Sequence, residues 1–376
     1  MSKQLQTSAT LLRYCVGIDV SKDTLQICVS VIDSHGKVTI KGTCKVNNKV
    51  TGFDSLLSWV KKHCKDLSLP LRFVMESTGV YHEQIAWYLF QNDLAVSIVL
   101  PNKAKHYLKS LGHKSKNDKI DAKGLSLMGL EQTLTLWQPL SKTIYSLRML
   151  TRQHQRLQEL KNQSENQKHA ILHSQISDKF IIKQLDKLIK LYEQQIQQVG
   201  QEIEKLLAKD QVLKTKIEKI CKIKGLALLS VSTLVAETNG FEGFENIRQL
   251  VSFAGYDVVE NQSGKRAGKT KISKKGNSRI RRILFLPAFN AVRYGESSCQ
   301  ALFKRVFERT QIKMKGYVAV QKKLLTLSFA IWKSNEEYNP MHYANNVKEL
   351  ESEAKKIVPT SGTTQDVPDF KLVLLQ

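Results

Sequence analysis

Residues 14–20 read YCVGIDV, an apolar run rich in β-branched side chains and broken only by an aspartate. The polar break Ser21-Lys22-Asp23 follows, then LQICVSVI at 25–32, the turn Asp33-Ser34-His35-Gly36, and KVTIKGTCKV at 37–46. Val, Ile and Thr are stiff at χ1 and suit a pleated surface, whereas Gly, Asp and Ser mark turns. Strands joined by connections this short pair as an antiparallel meander. Beyond them the pattern predicts a helix near 51–66, a strand LRFVM at 71–75, a helix near 80–92, a strand AVSIVL at 95–100 and a further helix near 117–131. Such an order makes a mixed sheet flanked by helices.

The first run also carries a charge that needs an explanation. Asp19 stands in VGIDV with apolar neighbours on both sides, and a carboxylate in a central strand is costly unless it is paired or bound to metal. Glu76 ends the fourth strand in VMESTG. The order β-β-β-α-β-α-β-α resembles that of ribonuclease H, in whose sheet the first and fourth strands are neighbours, so these two acids could converge. Asp118 and Asp121, in KNDKIDAKG, are three residues apart and share one face if the segment is helical. Four acids from three elements repel one another and call for a cation. Hard oxygen ligands without Cys or His favour Mg²⁺ or Mn²⁺ over Zn²⁺. Two such ions about 4 Å apart can activate an attacking oxygen and stabilise a leaving one in phosphodiester chemistry. Taken singly, each acid has an ordinary reading: a strand-end turn for Asp19, a helix N-cap for Glu76, a solvated face with Lys116 and Lys119 for the last two. The strand order joins them, while Asp23 reads as a turn residue.

The chain has 376 residues, with Lys+Arg 58 against Asp+Glu 34 and a formal net charge of +24. That length suits two or three domains, and 41% hydrophobic residues can build real cores. So large an excess of positive charge points to a polyphosphate partner, because neutralising phosphates releases counterions. A merely soluble or ribosomal basic protein is the alternative. No apolar run approaches the roughly 20 residues of a membrane span, and MSKQLQTSATLLRY lacks the apolar core of a signal peptide. The six cysteines are scattered without metal-ligand spacing and read as reduced thiols of a cytoplasmic protein, so zinc is not expected.

From about 141 to 220 the chain is rich in Gln, Lys and Glu and has no proline. Leu185, Ile189, Tyr192, Ile196, Val199, Ile203 and Leu206 alternate spacings of four and three, the a/d seam of a coiled coil or long helical hairpin. The seam could pair within one chain or between two. At 217–238, Gly225 sits in a turn between two apolar helical patterns, like a helix-hairpin-helix whose backbone N–H groups meet a phosphate. A compact helical region is expected from there to about 335. These patterns divide the chain into a flexible N-terminus at 1–13, a domain at 14–140, a helical coiled-coil connector at 141–216, a C-terminal domain at 217–340 and a tail at 341–376.

The segment 260–282 is unusual. It holds Lys265, Arg266, Lys269, Lys271, Lys274, Lys275, Arg279, Arg281 and Arg282, and no acid lies between Lys265 and Arg282. Glycines at 264, 268 and 276 let the backbone approach a phosphate closely, which fits a cradle better than a solvated face. Ser263 is followed by Gly264 and Lys265, with Ser273 and Ser278 in the same run. A serine attacks phosphorus only if its proton is taken and the developing charge is neutralised. On chemistry alone, each of the three serines suits a phosphate-contacting hydroxyl.

GIDVSKDTL at 17–25, ESTGVYH at 76–82 and KNDKIDA at 116–122 resemble the N-terminal motifs of the DEDD insertion-sequence transposases, the family that includes the Piv DNA invertase. LRMLTRQHQRLQELKN at 147–162 is similar to its connecting helix. GLALLSVSTLVAE at 225–237, FENIRQLVSFAGYDV at 244–258 and SGKRAGKTKISKKGNSRIRRIL at 263–284 are similar to its C-terminal domain. The resemblance implies an α/β ribonuclease-H-like (RuvC-like) domain with the acids Asp19, Glu76, Asp118 and Asp121, a helical connector and a mainly α C-terminal domain. It implies that a serine, by position Ser263, becomes joined to DNA. It implies homo-oligomers, dimers or tetramers, whose composite sites take acids from one subunit and the serine from another. It further implies a structured non-coding guide RNA that pairs with donor and target DNA, and a bacterial cytoplasmic protein that acts at the nucleoid. All four acid positions match, so an active enzyme is expected. Two other classes compete: a metal-dependent endonuclease of the Holliday-junction type, which would use water and no serine, and a non-catalytic nucleic-acid binder.

Overall fold

In the computed structural model the described residues are 10–66, 68–112, 115, 117–260, 262–263, 266–268 and 270–340. Lys265, Lys269 and the expected tail lie outside them, as do residues 1–9. The chain forms two compact units, Met1–Pro139 and Leu140–Gln376.

The first unit holds strands β1 (Leu11–Val20), β2 (Thr24–Asp33) and β3 (Val38–Asn47), helix α1 (Val50–His63), strand β4 (Leu71–Glu76), helix α2 (Glu83–Gln91), strand β5 (Ala95–Val99) and helices α3 (Pro101–Ser110) and α4 (Asp118–Glu131). Its sheet order is β3-β2-β1-β4-β5. β1 pairs antiparallel with β2 and parallel with β4, so the meander and the neighbouring first and fourth strands are as the sequence predicts. Two elements differ from expectation. β1 starts at Leu11, inside the stretch expected to be flexible, because it keeps pairing with β2 as far as Asp33. The sequence reading also missed α3: PNKAKHYLKS is polar, buries only Ala104 among the described side chains, and is announced only by its N-terminal Pro101.

The sheet is covered on both faces. Ile18, Leu25, Phe53, Leu56 and Ile85 belong to the core that includes α1 and α2. Cys15, Val74, Ala104 and Leu125 belong to the core that includes α3 and α4. α4 lies on β1 in backbone contact. A Cβ on Gly17 would stand 2.1 Å from the Ala122 carbonyl oxygen, and one on Gly129 would stand 2.3 Å from Cys15 Sγ. These pairs fix direction: Gly129 lies over Cys15 and Ala122 over Gly17, so α4 runs opposite to β1. The Ser30 and Ser126 hydroxyls, 2.8 Å apart and buried, tie α4 to β2.

The second unit opens with α5 (Lys142–Leu172) and α6 (Lys179–Ala208), an antiparallel pair bridged by Lys161–Glu193 at 2.8 Å and Lys168–Asp186 at 2.5 Å. Asp178 caps α6 by accepting from the Phe180 and Ile181 N–H groups. The seam residues are buried or half-buried along this pair within one chain. Next come α7 (Gln211–Cys221), α8 (Leu228–Glu237), α9 (Ile247–Ala254), four two-residue strands, α10 (Ser278–Ile283), α11 (Phe285–Arg293), α12 (Ser297–Thr310) and α13 (Lys313–Ser334). The connector expected at 141–216 is not a separate body. Ile144, Leu147, Ile203 and Leu207, at the root of the hairpin, share one core with Ile217, Val231 and Leu324. Four short strands lie within the domain expected to be mainly α. β6 (Val258–Val259) pairs with β9 (Lys271–Ile272), and β7 (Gln262–Ser263) with β8 (Arg266–Ala267), both antiparallel.

Candidate active site

Parallel pairing of β1 with β4 matches Gly17 to Val74 and Ile18 to Met75, so Asp19 and Glu76 stand at the next step of the same register. Side chains alternate along a strand, and neighbouring strands lie about 4.8 Å apart. Gly17 faces α4, and so does Val74, whose Cγ2 would lie 2.6 Å from a Cβ on Gly129. Two residues on, Asp19 and Glu76 occupy that same α4 face. Because α4 runs opposite to β1, its first turn, with Asp118 and Asp121, comes over this end of the sheet. Asn117 starts that turn by accepting from the Ile120 N–H at 2.9 Å. The backbone thus brings the two strand acids and the two helix acids toward one end of one sheet face.

Asp19, Glu76 and Asp121 are half-buried, and Asp118 is exposed. Among the described residues no three Asp, Glu, His or Cys side chains are already drawn into a metal-holding group. Convergence is therefore a property of the backbone here. Side-chain rotation, favoured once the charges are neutralised, would have to complete a cage. The donor set itself, four hard oxygen acids, fits Mg²⁺ or Mn²⁺.

Two residues the sequence reading missed brace this end. Asn48 Nδ2 donates to the carbonyls of Ser21 at 3.0 Å and Tyr81 at 3.1 Å, joining the loops that follow Asp19 and Glu76. His82 closes the second loop, where burial holds its pKa below the usual imidazole value against the charge of Glu83 and a backbone hydrogen bond at Thr78. NNKVTGF reads only as a turn before a helix, and His82 as one polar residue of a motif, so neither carried a signal of its own.

In the second unit, Ser263 is an arm residue of the ribbon, paired in register with Arg266. Ser273 lies farther along, its N–H donating to the Asp257 carbonyl at 2.7 Å and its hydroxyl accepting from the Lys275 N–H. Ser278 is the exposed first residue of α10. Among the cations expected to meet phosphate, Lys271, Lys274 and Lys275 are exposed. Lys274 adopts a left-handed φ of 53°, just before Gly276, whose Cβ would stand 2.4 Å from the Phe253 carbonyl oxygen. Arg279 is half-buried. Two have partners inside the chain: Arg281 donates to the Ala254 carbonyl at 2.7 Å, and Arg282 pairs with Glu159. Gly225, at φ 98°, packs so close to α11 that a Cβ would lie 2.7 Å from Ala291 N and Pro287 O. Packing alone therefore requires glycine there, whatever its N–H meets.

A buried carboxylate anchors the basic segment, and it went unnoticed in the apolar run LLSVSTLVAE. Glu237 is 4% exposed; its Oε1 accepts from Arg152 Nε at 2.7 Å and its Oε2 from Asn277 Nδ2 at 2.8 Å. Asn277 Oδ1 in turn caps α10 through the Arg279 and Ile280 N–H groups. Burial works to raise the pKa of Glu237, but the hydrogen bonds from Arg152 and Asn277 and the charges of Arg152 and Arg148 outweigh it and hold the carboxyl below its usual range. A depressed folded pKa contributes stability that is present above the unfolded value of about 4.3 and lost as pH falls through the folded one. Glu237→Gln is expected to cost about 2 kcal/mol at neutral pH, and to flatten the acid-side loss of stability in urea unfolding between about pH 5 and 3. Equal acid sensitivity in both proteins would remove Glu237 as the cause.

Residues 16–177 match the sequence profile of a DEDD transposase domain of the IS110 type, described as transposase. Residues 217–304 match that of the transposase IS116/IS110/IS902 family. The chain is 27% identical over 328 residues to the pilin gene-inverting protein of Moraxella bovis, covering 86% of this chain and 97% of that protein. The Moraxella lacunata counterpart gives the same figures. Among solved structures, Thermus thermophilus RuvC is similar at 14% identity with a TM-score of 0.26, covering 33% of this chain and 99% of RuvC. An Aquifex aeolicus member of the Ppx/GppA family is similar at 13% identity with a TM-score of 0.20, over 26% of this chain and 38% of that one. No helix among the described residues is long and apolar enough to cross a membrane. With profiles matched in order on both units and relatives spanning most of its length, the chain belongs to the IS116/IS110/IS902 family of transposases.

Proposed function

We propose that this transposase exchanges DNA strands through a metal site made by Asp19, Glu76, Asp118 and Asp121 and a covalent link to Ser263. The observation that carries the proposal is the register of β1 with β4 beneath the first turn of α4, which directs four carboxylates to one end of the sheet. A bound Mg²⁺ or Mn²⁺ would supply Lewis-acid stabilisation of the charge that develops on the phosphodiester oxygens. The chain's own part begins with the acids, whose charge and hard oxygens select a divalent ion. The Ser263 oxygen then forms a bond to phosphorus as the bond from phosphorus to the sugar oxygen breaks. The hydroxyl proton of the serine ends on the released sugar hydroxyl, so one phosphodiester replaces another. Lys265, Arg266 and Lys271 neutralise the phosphate during the exchange. The reverse attack by a DNA hydroxyl rejoins strands without an outside energy source.

The same reading extends to partners. The net charge of +24 suits donor and target DNA together with a structured guide RNA, and the apolar positions of α6 that stay exposed beside the α5 seam suit a homo-oligomer. Incubation with a nicked DNA that loses its cleaved end should trap a protein–DNA adduct that survives denaturation and needs Mg²⁺ or Mn²⁺. Metal-dependent cutting with no adduct would favour a water-using nuclease of the Holliday-junction type. Adduct formation at full rate in excess chelator would remove the metal site.

A further inference from the structure

Between the root of the ribbon and the helices α12 and α13 runs a groove of about 500 Å³ that, apart from Lys271 at its rim, the proposed chemistry does not use. Apolar side chains of Val258, Ile272, Val306 and Met314 line it. Val258 is 62% exposed and Met314 47%, so apolar surface stands open to water at its mouth. Its rim carries Lys271, Arg309, Lys315 and Lys322, all exposed, and none of the described residues lining it is acidic. The floor is fixed: the buried Tyr256 hydroxyl donates to Gln321 Oε1 at 2.9 Å, tying the ribbon's root to α13.

We propose that this groove holds one unstacked base of single-stranded DNA, the strand whose phosphate reaches Ser263. The composition points to a nucleotide. An apolar peptide would leave four cations facing it unpaired, and a bare phosphate would leave the apolar walls wet. A nucleotide supplies both halves, a flat apolar ring for the walls and phosphates for the rim. Its size also suits the volume, since sites that enclose small ligands start at roughly 300 Å³. Val258 and Ser263 lie five residues apart on the same arm, which spans at most about 16 Å of extended chain. A strand with one base in the groove would thus reach Ser263 within a few nucleotides. The slot would set which phosphate stands at the serine, and melting of the duplex would be a condition for binding there.

The proposal rests on the reading of Ser263 only for the position of the cut; base binding can be measured without any cleavage. The full-length protein is titrated, by fluorescence anisotropy without divalent metal, with a labelled oligodeoxythymidine and with an abasic deoxyribose-phosphate oligomer of equal length. Wild type should prefer the base-bearing strand roughly tenfold. Met314→Gln combined with Val258→Gln changes two exposed, uncharged positions, and should lose that preference while binding the abasic strand as wild type does. Photocrosslinking with 5-iododeoxyuridine in the strand should label peptides containing Val258, Ile272 or Met314. An undiminished preference in the double variant, labelling confined to other peptides, or stronger labelling by the matching oligoribonucleotide would each overturn the assignment. Loss of the adduct on Ser263 with the slot intact would instead sink only the nucleophile reading.

Discussion

Asp19→Asn and Asp121→Asn are each expected to lower strand cleavage on the order of a thousandfold while changing DNA affinity by no more than about twofold. The asymmetry follows from where the charges sit. The acids belong to the first unit and lie along β1 and the start of α4, whereas the described cations of the basic segment lie in the second unit. An amide keeps the size of the carboxyl and removes one unit of negative charge, so a phosphate meets no new repulsion. A divalent ion loses a hard ligand from a set of four. Asp19 is half-buried in a strand packed on both faces, so the neutral amide should not unfold the sheet; thermal unfolding of the variant checks that. Asp23→Asn serves as control, because Asp23 lies in the turn after β1 and its carbonyl accepts from the Asn48 N–H. Cleavage within about tenfold of wild type by Asp19→Asn or Asp121→Asn in Mg²⁺ would end the four-acid reading.

Ser263→Ala should abolish both recombination and the covalent adduct, a complete loss rather than a slowing. Hydrolysis by metal and water would leave free ends and discard the phosphodiester energy, whereas a serine ester keeps it for the return step. Among the described residues, the two other serines of the segment are placed differently. Ser263 is on the arm of the ribbon opposite Arg266 in register, Ser273 has its hydroxyl engaged with the Lys275 N–H, and Ser278 opens a helix. Ser273→Ala and Ser278→Ala are therefore expected to weaken binding a few-fold and still give an adduct. Binding of Mg²⁺ by Ser263→Ala should match wild type, since the acids are untouched. Peptide mapping of the trapped complex identifies the linked residue, and a phosphodiester on Ser273 or Ser278 would displace Ser263.

The fold of the first unit was readable because its elements repeat a local rule. Strands such as LQICVSVI run long enough for β-branched residues and turn signals to declare them, and short turns left the meander no other pairing. The candidate acids stood out for a different reason: Asp19 breaks an apolar strand, Glu76 ends a strand expected beside it, and a broken pattern points to a candidate site. In the second unit the a/d seam predicted long helices, since seven positions alternate spacings of four and three, but the spacing says nothing of the partner. Folding pairs α6 with α5 of the same chain.

The sequence by itself thus determined the order of strands, the positions of the acids, the charge and the family motifs, all of which are written in neighbouring residues. Only the tertiary structure decided how those pieces meet. Gly17 looks like any strand glycine until α4 lies against it, with the Ala122 carbonyl where a Cβ would be. Glu237 reads as the end of an apolar helix until Arg152, 85 residues earlier, and Asn277, 40 residues later, close on it. The ribbon bearing Ser263 is made of two-residue strands, too short to show a period of two. Contacts between distant segments leave no local trace, because each partner satisfies its own helix or strand rule whether or not the other is there.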